Sequence, residues 1–151
     1  MNRRLRSRIV LTFCLAIAGA TGAFAAIPNR TPEQLQQDAD VIVVGTVQEI
    51  RAQRTTDELW HDQTGTVLFL IEKVEKGDKV QLGDQMKIGF WTKRWVGPPG
   101  QVPPHGNGHR LPKSDPKAKV RVFVQRKEDG SYEAILPNGF AELSPATAPK
   151  K

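Results

Sequence analysis

Cysteine is nearly missing from this chain of 151 residues, where Cys14 stands alone. One thiol closes no internal disulfide and builds no thiolate metal centre. The three serines beyond the first 25 residues, Ser114, Ser131 and Ser144, lie outside any Gly-x-Ser-x-Gly pattern, so the usual serine-hydrolase elbow is missing. No glycine-rich phosphate loop joins a strand to a helix, and no internal repeat is visible. Acidic residues are absent before Glu33 and scarce again in the middle of the chain, where Lys87 to Lys127 holds ten basic residues against the single carboxylate of Asp115.

What is present begins with an ordered leader. Arg3, Arg4, Arg6 and Arg8 precede an uncharged apolar run from Ile9 to Ala20, and Ala23-Phe24-Ala25 stands just before Ala26. Positive, apolar and small-residue regions in that order read as a secretory signal peptide with cleavage expected after Ala25. An uncleaved anchor is the competing reading, since about 20 apolar residues span a bilayer. Gly19, Thr21, Gly22 and the alanines around them make the second half too weakly apolar for that role, and Thr12-Phe13 before Cys14 is no lipid-attachment box. The expectation is a secreted or periplasmic protein with no membrane span after cleavage. Cys14 leaves with the leader, so the mature protein has neither disulfide nor cysteine nucleophile and is held by its core. One domain over 26–143 is expected, with a disordered Ala, Pro and Thr tail at 144–151.

Removing the leader also removes four arginines. The whole chain carries a formal +6, whereas 26–151 carries eighteen basic and sixteen acidic residues, a net +2. The alkaline isoelectric point is thus largely a property of the leader and makes no case for nucleic-acid binding. The remaining charge is unevenly spread. Ala26 to Met86 is net −5, Lys87 to Lys127 net +9, and the rest net −2. An acidic partner, if there is one, belongs against the middle region.

Local patterns after the leader are those of one short helix and several strands. Thr31, Pro32 and Gln34 form a capping box with proline in the first helical position, and Leu35 and Ala39 share a face. Val41–Val47 is almost wholly β-branched, apolar on both parities, and reads as a strand covered on both sides. Thr66–Lys76 follows, then Gln85–Thr92 with Met86, Ile88 and Phe90 on one face, then Lys119–Arg126 with Val120, Val122 and Val124 on one face. Asp129-Gly130 predicts a two-residue hairpin with positive φ at both positions, leading into Tyr132–Leu136, and Pro137-Asn138-Gly139 turns the chain into Phe140–Leu143. With no helical crossovers, the fold class is mainly β: a small five-stranded Greek-key (OB-like) barrel with one short N-terminal helix.

The series ADVIVVGTV, VLFLIEKVEKG, GDQMKIGFW and KVRVFVQRKEDGSYEAI resembles the OB-fold barrel of netrin and tissue-inhibitor-of-metalloproteinase-like domains, over roughly Asp40 to Leu143. It also resembles small secreted bacterial proteins of the same layout. The resemblance implies the barrel but not zinc chelation by an N-terminal cysteine, because a chain starting Ala26-Ile27-Pro28 has none.

Candidate functional residues concentrate after the third strand. Trp91, Lys93 and Trp95 fall on one side if the strand keeps its period, offering flat rings and a cation. With Arg94 and the basic stretch Arg110, Lys113, Lys117 and Lys119 they form the candidate ligand surface. A second reading packs both tryptophans beneath the loop that follows. That loop, 96–116, is rich in Pro and Gly and cannot be helix. His105 and His109 lie in it four apart, but without a helix or a third ligand they are weak metal candidates and read as solvated loop residues. His61, three after Glu58, belongs to a polar loop between the first two strands. No cofactor is expected. The expected function is a secreted non-catalytic binding or interaction module for an acidic polymer or protein. The alternatives are a small metal-assisted enzyme built on His61, His105 and His109 with a carboxylate, or a purely structural envelope protein.

Overall fold

A computed structural model describes residues 27–98, 107–113 and 118–143. The expected signal peptide and tail, together with His105 and Lys117, lie outside the described residues. Helix α1, Pro32–Asp38, starts where the sequence signals it: the Thr31 hydroxyl accepts the Gln34 amide, and the Gln34 side chain accepts the Thr31 amide. Six strands follow: β1 Val41–Thr56, β2 Trp60–Lys76, β3 Gln85–Trp95, β4 Lys119–Arg126, β5 Tyr132–Ala134 and β6 Phe140–Leu143.

The strands form one sheet in the order β1-β2-β3-β5-β4, and β1 also pairs with β4, so five strands close into a ring. This is the expected OB-like barrel. All ring pairings are antiparallel except β3 with β5, which run parallel and meet only at Ile88–Tyr132 and Gly89–Glu133. The closure is therefore uneven: a long ladder between β1 and β2, a two-residue seam between β3 and β5. Short β6 continues along β4 beside β5.

Alternation decides what fills the ring. Val67, Phe69 and Ile71 from β2, Met86, Ile88 and Phe90 from β3, and Val120, Val122 and Val124 from β4 point inward and are buried with Val41, Val43 and Val47 of β1. A fully buried aliphatic or aromatic side chain of this kind contributes about 1.5–3 kcal/mol. Register shifts in β1 between Ile42 and Val43, Val44 and Gly45, and Val47 and Glu49 bend the strand around the barrel. The covered outer side is a second, smaller cluster: Leu35 and Ala39 from the helix region meet Ile42, Phe123 and Ile135. The helix thus lies on the side of the barrel at β1 and β4, which explains why Val41–Val47 is apolar on both parities.

Two expectations need correction. The strands β1, β2 and β3 are longer than the apolar runs that mark them, so Gln48 to Gly65 is not a loop. It is a hairpin whose pairing continues from Ile50–Val67 to Thr56–His61, turning at Asp57–Leu59. Trp60, His61 and Asp62 are strand residues. The Asp129-Gly130 turn also differs. Only Gly130 has positive φ, at +83°, and its amide donates to Lys127 O at 2.9 Å. Asp129 keeps an ordinary backbone because its carboxylate accepts the Ser131 amide and hydroxyl. The result is a three-residue turn with glycine in the left-handed position.

Candidate functional site

Beyond the barrel the three longest strands run on together. The residues from Arg51 to Thr56, from Trp60 to Thr66 and from Phe90 to Trp95 pair as a three-stranded arm. Paired residues of an antiparallel sheet share a face, so the register assigns every side chain. The inner face continues the barrel interior outward: Ile50, Ala52, Arg54 and Thr56, then His61, Gln63 and Gly65, then Phe90, Thr92 and Arg94. The outer face carries Arg51, Gln53 and Thr55, then Trp60, Asp62 and Thr64, then Trp91, Lys93 and Trp95.

The outer face is where Trp91, Lys93 and Trp95 come together, as their spacing predicts. Trp60 packs edge-on against its cross-strand partner Trp95, ring centroids 5.1 Å apart at 78°. Lys93 Nζ lies 5.1 Å from the Trp60 centroid and 3.7 Å from Asp62 Oδ1. A cation over an aromatic face and a nearby carboxylate hold the rings in a fixed pose without burying them. The turn beyond is tied by Asp57, whose carboxylate accepts the Leu59 and Trp60 amides. Those backbone hydrogen bonds hold its carboxyl below the usual range.

Residues of the Pro- and Gly-rich loop pack against the aromatics, as the second reading anticipates, yet the rings stay only half-buried. A Cβ on Gly97 would stand 2.3 Å from the Trp95 ring, so the chain there lies flat on the indole. Past Gly89, where β5 ends its pairing, Asn107–His109 takes over the β3 edge. Lys93 N–H donates to Asn107 O at 2.8 Å, and His109 N–H donates to Trp91 O at 2.8 Å. Gly108 between them has φ +120°, with Thr92 Cα and Trp91 O each 2.6 Å from where a Cβ would sit. Only glycine fits that approach.

His109 is the largest departure from expectation: it is buried, 5% exposed, rather than solvated. Nδ1 lies 3.0 Å from Trp91 N and Nε2 lies 2.6 Å from Ala134 O. Nδ1 also lies 3.0 Å from Trp91 O, but a neutral ring with its proton on Nε2 donates across the shorter contact to the Ala134 carbonyl and lets Nδ1 accept the Trp91 amide. The imidazole thereby bridges β3 and β5 where their direct pairing stops. Both ring nitrogens are engaged by backbone, which leaves none to ligate a metal. Among the described residues no group of three or more His, Cys, Asp or Glu side chains is placed to hold a metal ion.

The other expected site residues do not join the arm's outer face. Arg94 is on the inner face, opposite His61. Arg110 lies just past His109 with its amide on Pro137 O, and the Lys113 amide donates to Glu142 of β6, so both belong to the barrel flank. Lys119 opens β4 and pairs with Glu72. Arg121 likewise meets Glu75, with Nε 2.9 Å from Oε2 and Nη2 3.1 Å from Oε1. The charge asymmetry along the sequence is partly neutralised by folding, because Glu72 and Glu75 at the end of β2 reach Lys119 and Arg121 of basic β4 across β1. At the barrel's opposite end, an open depression of about 640 Å³ mixes Asp40, Asp78 and Glu128 with Lys79, Arg126 and Lys127, so no charge sign dominates.

Sequence reading missed Trp60 and Asp62 as part of the site, and Arg54 and Gln63 entirely. The available signal was the density of threonine and glutamine between Gln53 and Thr66, which suits a strand wet on both faces. Comparison with family models, characterised proteins and solved structures finds no match. No helix among the described residues is long and apolar enough to cross a membrane.

Proposed function

We propose that this protein is an exported, non-catalytic binding module whose barrel is a scaffold and whose three-stranded arm is the recognition surface for an extracytoplasmic polymer or protein. The observation that carries this reading is the arm itself. It extends past the buried core and still displays half-buried Trp60, Trp91 and Trp95, with Trp60 and Trp95 held edge to face. Aromatic platforms flanked by fixed polar groups favour stacking and hydrogen bonding. The strand 2–3 face and neighbouring loops are where OB-type barrels generally bind their ligands, which agrees with the arm's position. Kinship with netrin-like domains, suggested by strand layout, is part of this proposal and carries over no activity.

A structural detail weighs against the metal-assisted enzyme: His109 has no free ring nitrogen. Site-specific photo-cross-linking tests the binding reading. A cross-linker at Thr64, exposed on the outer arm, is compared with one at Gln125, exposed on the barrel, in intact envelope and medium. The expected result is an adduct from Thr64 alone that falls at least tenfold in Trp95→Ala. Equal labelling from both positions, or none from Thr64, removes the arm as the recognition surface.

A further inference from the structure

The inner face of the arm is a different chemical surface from the outer one. Along β1, β2 and β3 it presents two rows, Arg54–Gln63–Thr92 and Thr56–His61–Arg94. Every member except Gln63, a neutral amide, is a cation, an imidazole or a hydroxyl, and no carboxylate shares the two rows. Arg54 and Arg94 are exposed, and neither makes an ion pair among the described residues. This contrasts with the outer face, where Arg51 is paired with Glu49 and Lys93 stands beside Asp62. The Asp57 carboxylate, at the turn, is engaged by two amides.

Geometry directs Arg54 toward the middle strand. With the Gln63 amide turned to suit its neighbours, its oxygen accepts from Arg54 Nη2 at 2.9 Å and Nε at 3.1 Å. The amide nitrogen then faces Thr92 Oγ1 at 3.5 Å. Arg54 therefore leans over β2 with its charge uncompensated. Arg94 flanks β2 from the other side, opposite His61. On a regular sheet the two Cα atoms are roughly 12 Å apart, a gap that two arginine side chains close over a group seated on β2.

We infer that this inner face is an oxyanion-binding site, with Arg54 and Arg94 as opposed guanidinium forks and His61 and Thr92 as donors from the floor, accepting a tetrahedral phosphate or sulfate group. Forked guanidinium donors match such oxygens in pairs. Donors from two sides and from beneath fit a tetrahedral anion better than a planar carboxylate. The inference deepens the binding reading: the charged part of the recognised ligand lies on the inner face, and the stacked part on the outer one.

Titration of the purified protein with inorganic phosphate and, separately, with sulfate, followed by ¹H–¹⁵N NMR, tests it against sodium chloride at matched ionic strength. Expected are saturable shifts confined to Arg54, His61–Gln63 and Thr92–Arg94, with affinity reduced at least tenfold in the Arg54→Gln, Arg94→Gln double variant and unchanged in Gln125→Ala on the barrel. A response equal to that of chloride, or undiminished affinity in the double variant, overturns it. Both arginines are surface residues, and the NMR spectrum itself reports whether the variant folds. Loss of this site with Thr64 cross-linking intact would remove the oxyanion site alone, whereas loss of cross-linking with phosphate bound would remove the outer-face reading.

Discussion

The barrel and the arm are built from the same three strands and obey different energetics. Inside the ring, each strand contributes alternate side chains to one apolar interior, and Val43, Val67, Phe69, Ile88, Val122 and Val124 are all fully buried. Past Phe90 and its partner Gly65 the same ladders continue with no apolar core to enclose. There the arm depends on backbone pairing, the Trp60–Trp95 contact, the Lys93 cation over Trp60, and the Asp57 turn. Hydrophobic burial is cooperative across five strands, whereas cross-strand pairs contribute only roughly 0.2–1 kcal/mol each. A barrel held firmly and an arm held lightly suit a scaffold that presents a surface.

That contrast is open to attack in order of expected effect. Phe69→Ala in the barrel should cost about 3–5 kcal/mol in urea unfolding, since it empties a site with no solvent contact. A cost near that of an arm substitution would dissolve the distinction. His109→Ala should follow at about 2–4 kcal/mol, because the Trp91 amide and the Ala134 carbonyl lose their partner together. If the loss is small, the imidazole does not bridge the seam. Trp60→Ala should cost about 1 kcal/mol and act locally. Native-state hydrogen exchange is then expected to quicken at Arg51–Thr56 and Trp60–Thr66 while Val67 and Val122 stay protected.

The smallest effect is electrostatic and belongs to the barrel wall. Burial raises the Glu75 carboxyl, but hydrogen bonds from Arg121 and Lys73 outweigh it, and the group lies below its ordinary 4.5. A carboxyl lowered in the folded state stabilises the fold above its unfolded pKa, and the stabilisation is lost as pH falls through the lowered value. Glu75→Gln should therefore lower stability slightly near neutrality, where the carboxylate's contribution is fully present, and flatten part of the further loss below about pH 4.5. An unchanged acid limb would show that the pair carries no stability.

Much of the fold was legible residue by residue. The Thr31-Pro32-Gln34 signal marks the helix start, and alternation in Gln85–Phe90 and Lys119–Arg126 names the inward residues correctly. The arm was not legible from hydrophobic period, because a strand with solvent on both faces has no apolar alternation to display. Of the site, Trp91, Lys93 and Trp95 were placed on one face by strand period alone. Arg94 was grouped with them only by adjacency, and one residue of offset sends it to the other side. His109 looked like a loop residue because its partners, Trp91 and Ala134, lie 18 and 25 positions away.

The amino-acid order by itself determined the local elements, the choice of inward side chains and the absence of cross-links, since these depend on propensity and period over a few neighbours. Only the tertiary structure decided that Glu72 and Glu75 of β2 would meet Lys119 and Arg121 of β4, that a histidine would seal the β3–β5 seam, and that two arginines without an ion pair among the described residues would share a face. Those outcomes depend on register and ring closure, which bring together groups that no local spacing relates.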